Sequence, residues 1–339
     1  MAKYTLKDFK SDQEVRWCPG CGDYAILAAL QKTLPQVCEE KGIDKEKVVV
    51  VSGIGCSSRL PYYMNTYAFH SIHGRATAIA TGIKVANPEL SVWQASGDGD
   101  ALAIGGNHFI HALRRNIDIN IMLFNNRIYG MTKGQYSPTS PFGMITKTSP
   151  YGTVEAPFNP GELVLGAKGT FFARGLDNDL PLCQEIMLAS SRHHGTSVME
   201  FRTNCVIFNN GSHSEVSDKE VRADRTITLR AGEKMIFGKN RDKGLVLDGW
   251  KLKVVTIGQD GVTEDDILTH DPKADNLGLQ MMLAQMNWPE YPLALGVIRD
   301  VEAPTYEDGV CAQVERVAEK SKIHSVDALL RSGSTWEVK

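Results

Sequence analysis

Two groups of residues in this chain have types and spacings that could do chemistry. The first is Gly97-Asp98-Gly99-Asp100, followed by Asn125-Asn126-Arg127-Ile128-Tyr129-Gly130. Asp98 offers a carboxylate oxygen, Asn126 an amide oxygen and Ile128 a backbone carbonyl, the hard donors that Mg²⁺ prefers. Phosphate oxygens and water would complete an octahedron around such an ion. Gly97 and Gly99 let the backbone turn sharply and come close to a ligand. Downstream, Ile104-Gly105-Gly106-Asn107 is expected to open a helix whose free amides favour phosphate. Taken singly, GDGD and NN are equally compatible with ordinary turns after strands.

The second group is sulfur. Trp17-Cys18-Pro19-Gly20-Cys21-Gly22 precedes a helical stretch, and a CxxC loop sets two sulfurs on one side. Such a pair can grip a metal, two corners of a cluster, half of a zinc site, or act as a redox dithiol. Amides at the helix start are expected to lower the thiol pKa values. Cys56, in Gly53-Ile54-Gly55-Cys56-Ser57-Ser58-Arg59, and Cys205, in Arg202-Thr203-Asn204-Cys205, each follow a strand candidate. Alone, each would pass for a small buried hydrophobe. Cys38, Cys183 and Cys311 have no paired partner, and core packing is expected for all three.

The elements that must position these residues are legible as an alternation. Strands are expected at Val48–Gly53, Ser91–Ser96, Asp118–Asn125 and Ser197–Phe201, and helices at Tyr24–Thr33, Ala76–Ala86, Gly105–Arg114 and Leu182–His193. This rhythm predicts βαβ units in a doubly wound, mostly parallel α/β sheet, with ligands beyond the carboxyl ends of the strands. The Gly/Pro/Ser/Thr-rich stretch from Thr132 to Pro160 is too long for an idle loop in a compact domain and reads as functional. One domain is expected over residues 1–210, with 211–339 a C-terminal extension that packs or meets another subunit. Within the extension a hairpin of Lys234–Gly238 against Leu245–Val255 is expected.

Bulk properties exclude other classes. The chain has 339 residues, 42% hydrophobic and 23% charged, with a net charge of −3. Nucleic-acid binding needs a basic face, which that balance does not suggest. The first residues contain no apolar signal core, and no apolar run approaches the ~20 residues of a membrane helix. A cytoplasmic protein is expected, in which the seven cysteines are not disulfides.

Taken together, WCPGCG, GIGCSSR, TNC and the GDG…NN pair resemble the β subunits of 2-oxoacid:ferredoxin oxidoreductases over about residues 15–210. The blocks GDGDALAIGGNHFIHALRRN and NNRIYGMTKGQ resemble the 2-oxoglutarate branch, and Leu295–Asp300 is also similar to these subunits. The resemblance implies a sheet of the thiamine-diphosphate (diphosphate-domain) type, with thiamine diphosphate and Mg²⁺ held at Asp98, Asn126 and Ile128. It implies one 4Fe–4S cluster on Cys18, Cys21, Cys56 and Cys205. It also implies cofactor contacts from Gly55, Ser57, His73-Gly74-Arg75, Gly97, Gly99, Asp100, and Tyr129-Gly130-Met131-Thr132, the last four within the stretch Tyr129–Gln135 that closes over the diphosphate and faces the substrate. Arg59 stands where some relatives have Lys, keeping charge but adding a planar fork suited to carboxylates.

The function implied by the resemblance is CoA-dependent oxidative decarboxylation of 2-oxoglutarate to succinyl-CoA and CO₂, with electrons passed through the cluster to ferredoxin. Thiamine diphosphate supplies the electron sink that decarboxylation of a 2-oxoacid requires. Only one thiamine domain's worth of motif is present, so the activating glutamate is expected from an α subunit carrying the pyrimidine-binding domain, in an (αβ)₂ assembly. Arg59 and Lys133 are the candidates for the distal carboxylate; solvated loop charges or contacts to coenzyme A phosphates are the competing readings. Pyruvate and other 2-oxoacids are alternative substrates. A non-redox thiamine-dependent decarboxylase or synthase and a non-enzymatic metal-binding subunit are alternative classes.

Overall fold

The computed structural model describes residues 3–338. The β-branched run at the start of the sheet illustrates how the sequence makes it. In β1 (Val48–Ser52) every residue is buried, because Val48 and Val50 face one apolar layer while Val49 and Val51 face the other. A strand covered on both faces is the parallel-sheet pattern.

The remaining strands are β2 (Tyr67–His70), β3 (Ser91–Gly97), β4 (Asn120–Asn125), β5 (Phe171–Leu176), β6 (Ser197–Arg202), β7 (Thr226–Leu229), β8 (Ile236–Phe237), β9 (Lys243–Asp248), β10 (Lys251–Thr256) and β11 (Leu293–Asp300). Eight of them form one sheet in the order β2-β1-β3-β4-β6-β5-β11-β7, and β10-β9-β8 form a second. Every pair in the large sheet is parallel except β11 with β5. Helices α1 (Asp23–Lys41), α2 (Ala76–Ala86), α3 (Gly106–Arg115), α4 (Pro160–Gly166) and α5 (Leu180–Arg192) pack on this sheet. α1 and α5 cover one face through Ile26, Leu30, Leu34, Ile186 and Met187. α2, α3 and α4 cover the other through Ala80, Phe109, Leu113 and Val164. The expected doubly wound α/β sheet is present.

Several expectations need correction. α1 runs on through Pro35 to Lys41 and is closed by Gly42 at φ +63°. Leu34, Val37 and Cys38 are buried on its inner face, and that packing outweighs the one backbone hydrogen bond that proline cannot donate. The expected helix start at Ile104–Asn107 is not a free end. Helical winding begins directly after β3, and a wide turn over Asp100–Ile104 leads into α3. A Cβ on Gly105 would lie 2.4 Å from the Asp100 carbonyl, so only glycine allows the join. Leu245–Val255 is two strands, β9 and β10, because Gly249 at φ +61° reverses the chain. Cys38 and Cys183 are buried as expected, but Cys311 is exposed, because the helix at Tyr306–Lys320 is exposed on all sides from Cys311 onward.

The segment beyond residue 210 does more than decorate the surface. Its β11 and β7 complete the large sheet, and Leu293 and Leu295 sit in the same apolar layer as α1. Among the described residues no helix is long and apolar enough to cross a membrane.

Candidate functional site

Strand register brings the chemistry to one edge. Ser52 pairs with Ala95, Gly97 with Phe124, and Asn125 with Arg202. The chain therefore leaves β1, β3, β4 and β6 in one row, delivering Gly53–Cys56, Asp98, Asn126–Ile128 and Cys205 side by side. Beyond that row lies a cavity of about 500 Å³ lined by Gly55, Cys56, Ser57, His73, Gly97, Asp98, Gly99, Asp100, Asn126, Ile128, Tyr129, Gly130, Met131 and Thr132, with Ile54, Phe124 and Gln135. A recess of about 710 Å³ behind the CxxC loop is larger, but of the expected site residues it contains only Cys21.

Close backbone approach builds this cavity. A Cβ on Gly99 would lie 2.3 Å from the Tyr129 ring, whose hydroxyl donates to the Gly99 carbonyl at 2.9 Å. A Cβ on Gly53 would sit 2.0 Å from Asp100 Oδ2. Both glycines are present because the facing groups occupy the space a side chain would need.

The two aspartates have different duties. Asp98 is 2% exposed, and its Oδ2 accepts from Ser137 Oγ and Thr139 Oγ1, both at 2.5 Å. Burial pushes its carboxyl up to about 6 although both hydroxyls favour the anion. Asp100 Oδ1 accepts from the Gly74 amide at 2.7 Å and the Ile54 amide at 3.1 Å and faces His73 Nδ1 at 2.7 Å. Asp100 Oδ2 is buried without a partner. Both aspartates line the cavity, but the Asp100 carboxylate joins three loops while that of Asp98 is held by hydroxyls of one loop.

Asn126 Oδ1 accepts from the Ile128 amide at 3.1 Å, an Asx turn that bends the chain after β4. An amide oxygen keeps a second lone pair after that bond. Asp98, Asn126 and Ile128 all line the cavity beside glycine turns, and a carboxylate, an amide oxygen and a backbone carbonyl are a donor set that fits Mg²⁺ on a diphosphate. Arg75 does not line the cavity; its guanidinium reaches the His73, Gly74 and Ile104 carbonyls at 3.5 Å. Lys133 does not line it either. It is exposed in a tight turn at φ +77°. Arg59 donates to the Tyr63 hydroxyl at 3.1 Å in an adjoining recess that shares Ile54, Gly55 and Met131 with the cavity.

The cysteines gather at the same edge. A Cβ on Gly130 would lie 3.4 Å from Cys205 Sγ and 3.6 Å from Cys56 Sγ. The CxxC loop is tied to the first of these segments by the Gly22 amide donating to the Asn204 carbonyl at 3.1 Å. It is tied to the second by Trp17 Nε1 donating to the Cys56 carbonyl at 2.7 Å. Among the described residues no three His, Cys, Asp or Glu side chains come together as for a single metal ion. A cubane holds its four thiolates on separate irons and so spaces them more widely than one ion does. Cys21 is not acidified as expected: burial raises it, as burial pushes Cys56 up to about 12, and the buried Asp23 adds to both. At Cys21 the helix-start amide loses to desolvation and a neighbouring carboxylate.

Residue-level reading of the sequence missed Ser137, Thr139, Asp23 and the pair Arg174–Glu200. The pair is fully buried, with Nε to Oε2 at 2.6 Å, and Glu200 Oε1 accepts from Asn125 Nδ2 at 2.8 Å. Density of Ser and Thr after Gln135 was the available signal for the first two.

Comparison with known proteins agrees with this geometry. Residues 53–201 match the family described as thiamine pyrophosphate enzyme, C-terminal TPP binding domain. The chain is similar to the 2-oxoglutarate oxidoreductase subunit KorB of Mycobacterium tuberculosis, 48% identical over 335 residues, 98% of this chain and 88% of that one. It is also 48% identical, over 56% of its length and 69% of the relative's, to the 2-oxoglutarate synthase subunit KorB of Archaeoglobus fulgidus. A solved 2-oxoglutarate:ferredoxin oxidoreductase from Magnetococcus marinus, with 2-oxoglutarate, coenzyme A and succinyl-CoA bound, matches at a TM-score of 0.77 and 31% identity, covering 99% of this chain and 98% of that one.

Proposed function

This chain belongs to the family of β subunits of 2-oxoacid:ferredoxin oxidoreductases, and on that premise we propose an activity and a role for each group in its site. The protein is the β subunit of a 2-oxoglutarate:ferredoxin oxidoreductase, converting 2-oxoglutarate and coenzyme A to succinyl-CoA and CO₂ together with an α subunit. The observation that carries the assignment is the position of Gly130, which is part of the cavity wall and lies against the sulfurs of Cys56 and Cys205. Oxidation of substrate carbon at a cofactor in that cavity needs an electron acceptor within a short distance, and sulfurs of two of the four cysteines lie against this wall.

Thiamine diphosphate, when bound, supplies the electron sink for loss of CO₂. Asp98, Asn126 and the Ile128 carbonyl hold Mg²⁺ on its diphosphate. Asp100 fixes His73 and the Ile54 and Gly74 amides around the same group. Cys18, Cys21, Cys56 and Cys205 hold one 4Fe–4S cluster, whose charge offsets the cost of burying their thiolates. Ile54 and Met131, 36% and 44% exposed at the cavity mouth, await an apolar cover.

The activating glutamate is donated by the α subunit. The assembly is (αβ)₂, the electron acceptor a ferredoxin, and the compartment the cytoplasm. Arg59, at the adjoining recess with Arg16 and His70, is the better placed of the two cations proposed for the distal carboxylate.

The test is anaerobic co-expression with the α subunit. CoA-dependent reduction of ferredoxin with 2-oxoglutarate, at higher kcat/KM than with pyruvate, is the expected result. A preference for pyruvate defeats the substrate assignment. Iron-free protein with full activity defeats the cluster assignment.

A further inference from the structure

The loop after Gln135 holds a knot of hydroxyls that none of the assignments above uses. Ser137, Thr139 and Ser140 are all buried, at 2%, 4% and 3% exposure. Ser137 and Thr139 both place their hydroxyls 2.5 Å from Asp98 Oδ2. Ser140 donates to the Arg127 carbonyl at 2.6 Å and accepts from the Ser137 amide at 2.8 Å. Thr139 Oγ1 also lies 2.9 Å from Asn125 Oδ1. That amide is pinned in turn by donating to Glu200, the buried partner of Arg174.

One loop thereby grips both segments that carry the expected metal donors. It holds Asp98 at the end of β3, and the Asn126–Ile128 turn, through Arg127, at the end of β4. The two strands are neighbours, but nothing in their ladder fixes the side-chain torsion of Asp98. A carboxylate can rotate, and the donors decide which oxygen turns away. Both hydroxyls address Oδ2, the backbone amides of Asp98 and Gly99 add weaker support to the carboxyl, and among the described residues no side-chain donor reaches Oδ1. A hydroxyl has one proton, so Thr139 cannot serve Asp98 and Asn125 at once. The shorter contact, to the anionic acceptor, is the stronger one. Asn125 Oδ1 is the weaker, neutral competitor for that proton, held in place by its amide donating to Glu200.

We infer that Ser137 and Thr139 are positioning residues, a hydroxyl clamp that immobilises Oδ2 of Asp98 and leaves Oδ1 as the single anionic ligand for the divalent cation of the diphosphate. The inference rests on the reading of Asp98 as that cation's ligand. It assigns a purpose to the long loop that its composition alone does not.

The experiment titrates Mg²⁺ into metal-stripped αβ complex at saturating thiamine diphosphate, reading bound cofactor by circular dichroism and not by turnover. Thr139→Val removes the hydroxyl at constant shape, Thr139→Ser keeps it, and Ser137→Ala removes the second donor. Loss of a group that orients a metal ligand typically costs about 10- to 100-fold in metal affinity. Thr139→Val is therefore expected to raise the half-saturating Mg²⁺ concentration at least about tenfold, Ser137→Ala to raise it as well, and Thr139→Ser to restore it to near the wild-type value. Unchanged Mg²⁺ affinity in both Thr139→Val and Ser137→Ala overturns the clamp. Equal losses in Thr139→Val and Thr139→Ser also overturn it, since shape and not the hydroxyl would then matter. Asp98→Ala is the control for the underlying reading: if it retains cofactor with wild-type Mg²⁺ dependence, the ligand assignment itself has failed, and the clamp with it. The apo melting temperature of each variant separates misfolding from a lost site, and Ser137→Ala replaces Thr139→Val if the latter does not fold.

Discussion

Asp100 Oδ1 lies 2.7 Å from His73 Nδ1 and accepts the Gly74 amide at the same distance, so one buried carboxylate joins the turn after β3 to the loop before α2. Asp100→Asn keeps the shape but replaces one acceptor geometry and removes the charge. The expected outcome is a loss of about 1–3 kcal/mol of stability, the cost of unsatisfied buried donors, seen as a lower melting temperature of cofactor-free protein. A wild-type melting temperature would show that the three loops hold without it.

Asp98→Ala should separate from Asp100→Asn by what it spares. Mg²⁺-dependent retention of thiamine diphosphate should disappear while iron content stays intact, because the cysteines are anchored through Trp17 and Asn204, independently of Asp98. Gel filtration and subsequent cofactor and iron assays read both quantities. If Asp100→Ala abolishes retention and Asp98→Ala does not, the ligand assignment must move by two residues.

Anaerobically purified complex should carry about four irons per β chain, as one cubane implies. Alanine at Cys18, Cys21, Cys56 or Cys205 should remove most of the iron and all ferredoxin reduction. Cys38 and Cys183, buried in the core, and Cys311, on an exposed helix face, should be dispensable for iron. Retention of full iron by a Cys56→Ala/Cys205→Ala double variant would falsify the cluster assignment.

Glu200→Gln should expose how much the buried pair matters. Removing one member of such a pair costs about 3–5 kcal/mol, because Arg174 is left buried and uncompensated. Burial alone would raise the Glu200 carboxyl, but Arg174 and Arg202 hold it at about 2. A folded pKa below the unfolded value of about 4.3 adds stability that is complete above that pH and is lost as pH falls toward the folded value. The gap in stability between wild type and Glu200→Gln should therefore be constant from neutrality down to about pH 5 and narrow in more acid solution. Chemical denaturation at several pH values measures it, and a gap independent of pH would contradict the pairing.

Arg59→Ala should lower kcat/KM for 2-oxoglutarate relative to pyruvate, by the few kcal/mol that an unpaired buried carboxylate costs. Lys133→Ala should change that ratio little, since its side chain stands outside both recesses. A ratio unchanged in Arg59→Ala would assign recognition of the distal carboxylate to the α subunit.

The sequence by itself determined the sheet class, the four central strands and the rank of chemical groups beyond them. These arise from local rules: β-branched runs make strands, and glycine, aspartate and asparagine at their ends make turns that present ligands. The grouping of Cys56 with Cys205 came from motif resemblance, and Gly130 lying against both sulfurs gives it a physical basis. Tertiary structure alone decided the rest. Asp98 and Asp100 both line the cavity, but which hydroxyls and amides reach each carboxylate depends on loops far away in sequence, and no local pattern encodes that arrival. The same holds for Arg174 and Glu200, an ion pair formed across adjacent strands and closed by Asn125. Tail strands β11 and β7 joined the large sheet because its β5 edge has unpaired backbone groups and an apolar layer to finish. That demand comes from the assembled sheet and is not written in the residues that meet it.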